Sequence, residues 1–375
     1  MAGLSQEFKF RDVYNARVIS KLAHDLKAAW APFDADAFFA DATDGLDELE
    51  MNARIALIAG ALDRHLPSDF PQAARVLVSA LPPEEVEPGK TDWDAFIVIP
   101  QCAFVSQRGL GHFDLSMDAL NAMTRRLSAE NHLRVFIELD FERAMATLQR
   151  WASDPNVHVR RLVSEGTRPR LPMTGRIQRF IDDPTPALKL LEALKADPSL
   201  YVRRSVANHL NDISKDNPEI ALDTLERWNA SDDPGTRWLV RHASRTLLKA
   251  GHPRAVDLFG YTSTPRLDLS LNILDDAVQI GGEVAFEVEI TSRAQVSQRL
   301  LIDYVVDFVK ANGKRAPKVF KWTTRVLAPG QTLRLTRRQH LRPTSGRKLY
   351  PGLHGLTLQI NGEPVEPSAS FLVSQ

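Results

Sequence analysis

At 375 residues with an ordinary globular composition, the chain has material for two or three domains and a sizeable core. Its single cysteine, Cys102, excludes an intrachain disulfide and a thiolate zinc cluster and fits a reducing compartment. The N-terminus, with Glu7, Lys9, Arg11 and Asp12, lacks the apolar core of a signal peptide, and no uninterrupted apolar run reaches membrane-spanning length, so a soluble cytoplasmic protein is expected.

The formal net charge of zero hides an asymmetry. Residues 1–100 carry 9 Lys/Arg against 17 Asp/Glu, whereas 266–375 carry 15 against 10. Within the latter, 310–348 holds 12 basic residues and no acid (Lys310, Lys314, Arg315, Lys318, Lys321, Arg325, Arg334, Arg337, Arg338, Arg342, Arg347 and Lys348). That is the footprint expected for a polyanion such as a nucleic-acid backbone, although charge alone is equally explained by a solvated basic face.

Residues 1–90 read as acidic, structural helices. Val18, Leu22 and Leu26 recur at helical spacing between Val13 and Trp30, and Ile55, Ile58 and Leu62 between Leu49 and Leu62. Pro82-Pro83 and the polar stretch to Thr91 mark a loop. Phe96-Ile-Val-Ile-Pro100 fits a strand or a buried helix end. Helices resume with Asp114 or Ser116 as cap, then Ser128 caps a helix through Leu133, Phe136 and Ile137, and Phe141 to Trp151 is its partner.

From Asp154 the chain repeats itself. Asp154-Pro-Asn-Val-His-Val-Arg-Arg161 is followed by Asp197-Pro-Ser-Leu-Tyr-Val-Arg-Arg204 and a looser Asp233-Pro-Gly-Thr-Arg-Trp-Leu-Val-Arg241, a period of about 40 residues. Asp-Pro suits a helix start, with the carboxylate as N-cap and proline at the first helical position. The helix over 154–165 is expected to end at Gly166 as a left-handed exit, before the loop Thr167-Arg-Pro-Arg-Leu-Pro-Met173. Helices over 187–196, 197–213, 218–228 and 234–250 follow, and Gly251-His-Pro253 stops them. Paired helices at this period predict a mainly α chain built on a HEAT-like solenoid ending near 263.

After Pro265 the period changes to two. Runs at 267–273, 284–290, 300–308, 319–323, 332–336 and 355–360 alternate apolar and polar residues between turns at Gly281-Gly282, Asn312-Gly313, Pro329-Gly330 and Asn361-Gly362. About seven short strands predict a C-terminal Ig-like β-sandwich over 264–375, after a solenoid over 1–263.

Each repeat helix is expected to expose an arginine pair, Arg160/Arg161 and Arg203/Arg204, with Arg241, His242 and Arg245 in the third copy. Stacked on successive helices these would track phosphates along a duplex. The plainer reading pairs them with acids on neighbouring helices, and the basic tail tips the choice toward nucleic acid. Three acids lie at helix ends: Glu165 and Asp212 at C-terminal ends, where the macrodipole disfavours negative charge, and Glu130 at a start. Spacing alone does not bring them together.

The run Val159-Arg-Arg-Leu-Val-Ser-Glu-Gly-Thr-Arg-Pro-Arg-Leu-Pro172, with Tyr201-Val-Arg-Arg-Ser-Val-Ala-Asn-His-Leu-Asn-Asp-Ile213, closely resembles the AlkC branch of the AlkC/AlkD HEAT-like-repeat DNA alkylation-repair glycosylases. Tyr304-Val-Val-Asp-Phe-Val-Lys-Ala-Asn-Gly-Lys314 and Tyr350-Pro-Gly-Leu-His354 resemble that branch's Ig-like appendage, so the likeness spans most of the chain beyond about 110. It implies a concave surface that holds alkylated duplex DNA and hydrolyses the N-glycosidic bond of a cationic base of the 3-methyladenine type. Implied catalytic carboxylates are Glu130, Glu165 and Asp212, with no metal or organic cofactor. Implied DNA contacts are Arg160, Arg161, Arg168, Arg170, Arg203, Arg204, Arg241, Lys310, Lys314, Arg315 and Lys318.

Two positions depart from the family pattern. Met173 stands where a tryptophan usually contacts the lesion, and Asn131 stands where a phenylalanine usually follows the acid. Both changes remove aromatic surface, and Phe136, Trp151, Trp228 and Trp238 read as core rather than as replacements. The expected partner is double-stranded DNA containing alkylated bases, in a nucleoid-associated cytoplasmic protein with no membrane and no obligate protein partner. The rivals are a HEAT-repeat protein that recognises damaged duplex without cutting it and a HEAT scaffold for protein partners.

Overall fold

A computed structural model of the chain describes residues 9–84, 93–275, 277–344 and 348–375. Glu7, Arg347 and residues 85–91 of the expected loop lie outside the described residues. Two compact units form, residues 1–217 with 228–243, and residues 218–227 with 244–375, so the division expected at 263/264 falls inside the second unit. No helix among the described residues is long and apolar enough to cross a membrane.

The helices are α1 (Ala16–Ala29), α2 (Ala35–Thr43), α3 (Met51–His65), α4 (Phe70–Ser79), α5 (Val98–Arg108), α6 (Phe113–Thr124), α7 (Glu130–Leu139), α8 (Phe141–Trp151), α9 (Val157–Gly166), α10 (Gln178–Asp182), α11 (Thr185–Leu194), α12 (Leu200–Ile213), α13 (Pro218–Asn229), α14 (Pro234–Ala243), α15 (Arg245–Lys249) and α16 (Pro253–Leu258). Phe96–Pro100, open between strand and helix, joins a 3-10 turn, Trp93–Ile97, to the start of α5. The helix expected over 234–250 is broken into α14 and α15 at Ser244.

The repeated Asp-Pro units do more than cap. In the first two copies the cap lies two residues later than expected. Asp154 Oδ1 accepts from Asn156 N at 2.8 Å, and Asn156 Oδ1 then accepts from His158 N at 2.9 Å. Asp197 Oδ1 and Ser199 Oγ repeat the arrangement. A short polar side chain nearer the helix takes the cap, and the aspartate makes the turn that leads to it. Only Asp233, with Pro234 opening α14, caps as expected, by accepting from Thr236 N.

This arrangement frees the aspartates to link repeats. Arg160 donates back to Asp154 O and Pro155 O and forward to the Asp197 carboxylate, with Nε 2.6 Å from Oδ2. Arg203 bonds Asp197 O and Pro198 O in the same way and lies beside Asp233, whose carboxyl it helps to hold below the usual range after the Thr236 hydrogen bonds. Arg125, 3.9 Å from Asp154, extends the ladder backward.

Other local expectations change for packing reasons. Gly166 is the last residue of α9 and makes no left-handed exit; a methyl group there would fall 2.6 Å from Leu133 Cδ2, so glycine permits α7 and α9 to approach. Ser128 does not cap α7, because its hydroxyl donates to Glu130. Ser116 is buried and donates to Gly109 O, and Asp114 pairs with Arg143, so neither caps α6.

The second unit contains two sheets, one of β1 (Leu267–Ile273), β3 (Glu283–Ser292) and β6 (Thr332–His340), the other ordered β2 (Ala277–Gln279), β8 (Glu363–Ser374), β7 (Gly352–Ile360), β4 (Gln298–Val309) and β5 (Arg315–Leu327). Their facing side chains, among them Phe286, Val288, Ile302, Tyr304, Val306, Leu358 and Phe371, form the core of an Ig-like sandwich. Tyr304 Oη crosses the layers to donate to Gln339 Oε1. β4 is buried on both faces over most of its length, and the chain before β1 meets the end of β7 and the turn after it. There Gln359 donates to Lys249 O, Asn361 donates to Thr262 O, and Gly251 lies against Gly362.

Candidate active site

The acids that spacing could not join are joined by two arginines. Glu130 opens α7, Glu165 lies in the last turn of α9, and Asp212 lies in the last turn of α12. Arg161 Nη1 is 2.8 Å from Glu130 Oε2, and its Nη2 is 3.6 Å from Glu165 Oε1. Arg168 Nη1 donates to the same Glu165 oxygen at 2.6 Å, while its Nε lies 2.7 Å from Asp212 Oδ2. Lys215 Nζ closes the row on Asp212 Oδ1 at 2.7 Å. Carboxylate and cation thus alternate from Glu130 to Lys215 across three helices.

This pairing is what permits the acids to be buried. Glu165 is 5% exposed and Asp212 1%, at helix ends where the macrodipole works against them. Burial pushes the Glu165 carboxyl up, but Arg161, Arg168 and the Ser205 hydroxyl outweigh it and hold the group below the ordinary 4.5 of a glutamate. Burial likewise lowers Arg161 and Arg168, and the carboxylates beside them leave both raised. Ser205 Oγ donates to Glu165 Oε2 at 2.6 Å and lies 3.0 Å from Ser164 Oγ. Tyr201, one turn before Ser205, carries the Arg161 guanidinium 5.0 Å over its ring. His209 is fully buried and is pushed down to about 3 by burial, so it is neutral, with Nδ1 3.0 Å from Ser164 O.

A pH dependence follows from the depressed Glu165. Its ion pairs stabilise the fold in full above about pH 4.5 and are lost as pH falls through its lower folded value. The gap in melting temperature between wild type and Glu165→Gln should therefore be constant near neutrality and close below about pH 4.5, as read by thermal melts across pH. A gap unchanged down to pH 3 would contradict an ionised Glu165.

The expected DNA contacts divide into groups. Arg160 and Arg203 are not exposed as expected, because both are held in the inter-repeat ladder. Arg161 and Arg168 lie inside the acid row, and Arg170 is paired with Asp216 at 2.5 Å. Arg204 is exposed on α12, and Arg241 is half-buried on α14. Lys310, Lys314, Arg315 and Lys318 are all exposed on the hairpin joining β4 to β5, where Lys310 N bonds Lys314 O. The remainder of the basic stretch is partly paired on β6, where Arg334 bonds Glu289 and Arg338 bonds Glu283. Met173 is 92% exposed at the tip of the loop after α9, with a left-handed φ of 62°.

Phe136, Trp151 and Trp228 are core, as expected; Trp238 is not, being 37% exposed and stacked on His242 with ring centroids 5.2 Å apart. Sequence reasoning missed Ser205 and Lys215, read Ser128 only as a helix cap, and matched Arg134 to the family segment Ala129–Arg134 without giving it a role. The signal for Arg134 is a charge one turn after Glu130 on a helix whose neighbouring positions, Leu133, Phe136 and Ile137, are buried.

A family model described as the C-terminal Ig-like domain of the uncharacterised protein YhaZ matches residues 268–374. Over 365 residues the chain is 37% identical to the uncharacterized protein YhaZ of Bacillus subtilis (strain 168), covering 97% of this chain and 99% of that one. Among solved structures it is similar to Pseudomonas fluorescens alkylpurine DNA glycosylase AlkC bound to DNA containing an abasic site analog, at TM-score 0.90 and 36% identity, over 98% of this chain and all of the other.

Proposed function

The chain belongs to the AlkC branch of the HEAT-like-repeat DNA glycosylases, and from that premise we propose that it hydrolyses the N-glycosidic bond of cationic alkylated bases, of the 3-methyladenine type, in duplex DNA. The observation that carries the reading is the row in which Arg161 and Arg168 gather Glu130, Glu165 and Asp212. An alkylated base already bears positive charge and leaves without a general acid. What remains for the protein is to stabilise an oxocarbenium-like sugar and position water, tasks suited to ionised carboxylates. Glu165, held below the ordinary range, fits that role and not the role of a proton donor. The direct test is release of methylated base from methylated duplex by the purified protein.

The β4–β5 hairpin supports a second contact with DNA. Replacing Lys310, Lys314, Arg315 and Lys318 together by glutamine should weaken duplex binding at low salt. The slope of log K against log salt should flatten by up to ~3.6, about 0.9 for each phosphate that the hairpin no longer neutralises. Unchanged affinity and slope would make the hairpin a solubility feature.

A second reading, recognition of damage without cutting, is favoured by Met173, because a thioether lacks the quadrupole with which a tryptophan face attracts a cation. Both residues meet the same left-handed backbone, so Met173→Trp adds no new backbone cost. We expect it to raise excision of 3-methyladenine about tenfold, the equivalent of ~1.4 kcal/mol, with little change on undamaged duplex. Absence of excision by both proteins would favour the non-enzymatic reading, and a switched lesion preference would indicate a retuned pocket.

A further inference from the structure

Arg134 has no part in the acid row, yet it is a charged side chain that is only 6% exposed. It lies one helical turn after Glu130 on α7, and its guanidinium is directed wholly at backbone. Nη1 is 2.8 Å from Arg168 O and 3.4 Å from Gly166 O, and Nη2 is 2.5 Å from Gly175 O. Those carbonyls belong to the two ends of the loop that runs from α9 to Met173 and back. Burial lowers the guanidinium to about 10, and Glu138 and Glu130 act in the opposite direction, so it is charged at neutral pH.

The same loop is closed at its base by Ile177 N on Pro169 O and anchored by buried Leu171 and Ile177. Its tip is Met173, exposed and left-handed. Its beginning is Arg168, whose backbone oxygen is held by Arg134 while its side chain bridges Glu165 and Asp212. A planar fork reaches carbonyls at both loop ends at once, whereas an ammonium is a single point and does not span them. We infer that Arg134 is a positioning residue: it fixes both ends of the Gly166–Gly175 loop, and so sets where Arg168 meets the two acids and where residue 173 meets the lesion. The inference rests on the proposed glycosylase reading for its effect on chemistry, but not for its effect on the loop.

Arg134→Ala and Arg134→Lys test it in the full chain. Base release in single turnover should fall tenfold or more in both, with duplex affinity changed less than threefold. Millimolar guanidinium ion should restore the rate of Arg134→Ala, whereas methylammonium should not, a pattern that general destabilisation does not produce. Independently, trypsin should cut after Arg170 or Arg176 at least tenfold faster in the variants. If Arg134→Ala fails to fold, Arg134→Lys carries both measurements. Wild-type rates with wild-type trypsin resistance would overturn the inference, as would a lowered rate with no change in the loop and no rescue. If wild type releases no base, the glycosylase reading fails, and the trypsin comparison alone decides the role of Arg134.

Discussion

Glu165→Gln and Asp212→Asn should each slow base release by roughly 10²–10³-fold, the scale on which a preorganised electrostatic partner of a charged transition state acts. Affinity for undamaged duplex should change by less than about threefold. The separation is expected because both acids are buried and neither offers the surface that phosphates require. Each substitution leaves Arg168 short of one of its two carboxylates, and breaking a buried pair costs about 3–5 kcal/mol. Melting curves must therefore accompany the kinetics, and the rates are compared at temperatures where each variant is folded. Glu165→Gln retains an acceptor for Ser205 and so removes charge with the least change in shape. Activity equal to wild type in both variants would remove these acids from the mechanism and leave the row as a structural device.

A large loss of stability is also expected at Gly362. Its φ is +89°, and a Cβ there would fall 2.1 Å from Gly251 Cα and 2.3 Å from Gly251 N, backbone that has no rotamer by which to yield. Gly362→Ala should cost more than about 3 kcal/mol, lowering the melting temperature of the second unit by roughly 6–12 °C. Gly330→Ala provides the control: φ is +73°, and nothing lies within 4 Å of the added carbon. Only the left-handed penalty, about 1 kcal/mol, applies there. Equal losses at the two positions would mean that the Gly251–Gly362 approach relaxes freely.

Much of the fold was legible because its signals are local. The Asp-Pro copies announced repeating helices, and alternation found β1, β3, β4, β6 and β7 close to their observed bounds. β8 escaped because Glu363, Pro364, Glu366 and Pro367 interrupt its alternation, and β2 because three residues show no period. The caps were misplaced by two residues because Asn156 and Ser199 compete with the aspartates before them. The candidate site was suggested only through resemblance. Helix-end acids are ordinary surface features until a partner is known, and the partners that join Glu130, Glu165 and Asp212 come from a helix face and a loop. The arginines were legible as a group but not by role, since the members of a pair face different surroundings: Arg160 the next repeat and Arg161 the acids, Arg203 the next repeat and Arg204 solvent.

The inter-repeat ladder gives the stack a polarity. Each unit presents a forward-reaching arginine and an aspartate that receives one from behind, as Arg160 reaches Asp197 and Arg203 lies beside Asp233. The joint is head-to-tail, so the stack can lengthen by whole units without redesign of its interior, each newcomer being received by the aspartate it brings and handing on its own arginine. A unit inserted without its Asp-Pro would leave its predecessor's arginine unreceived, and one without its arginine would leave the next aspartate without its cation. Growth of this kind is quantised, and it leaves the acid row, which uses Arg161 and not Arg160, undisturbed.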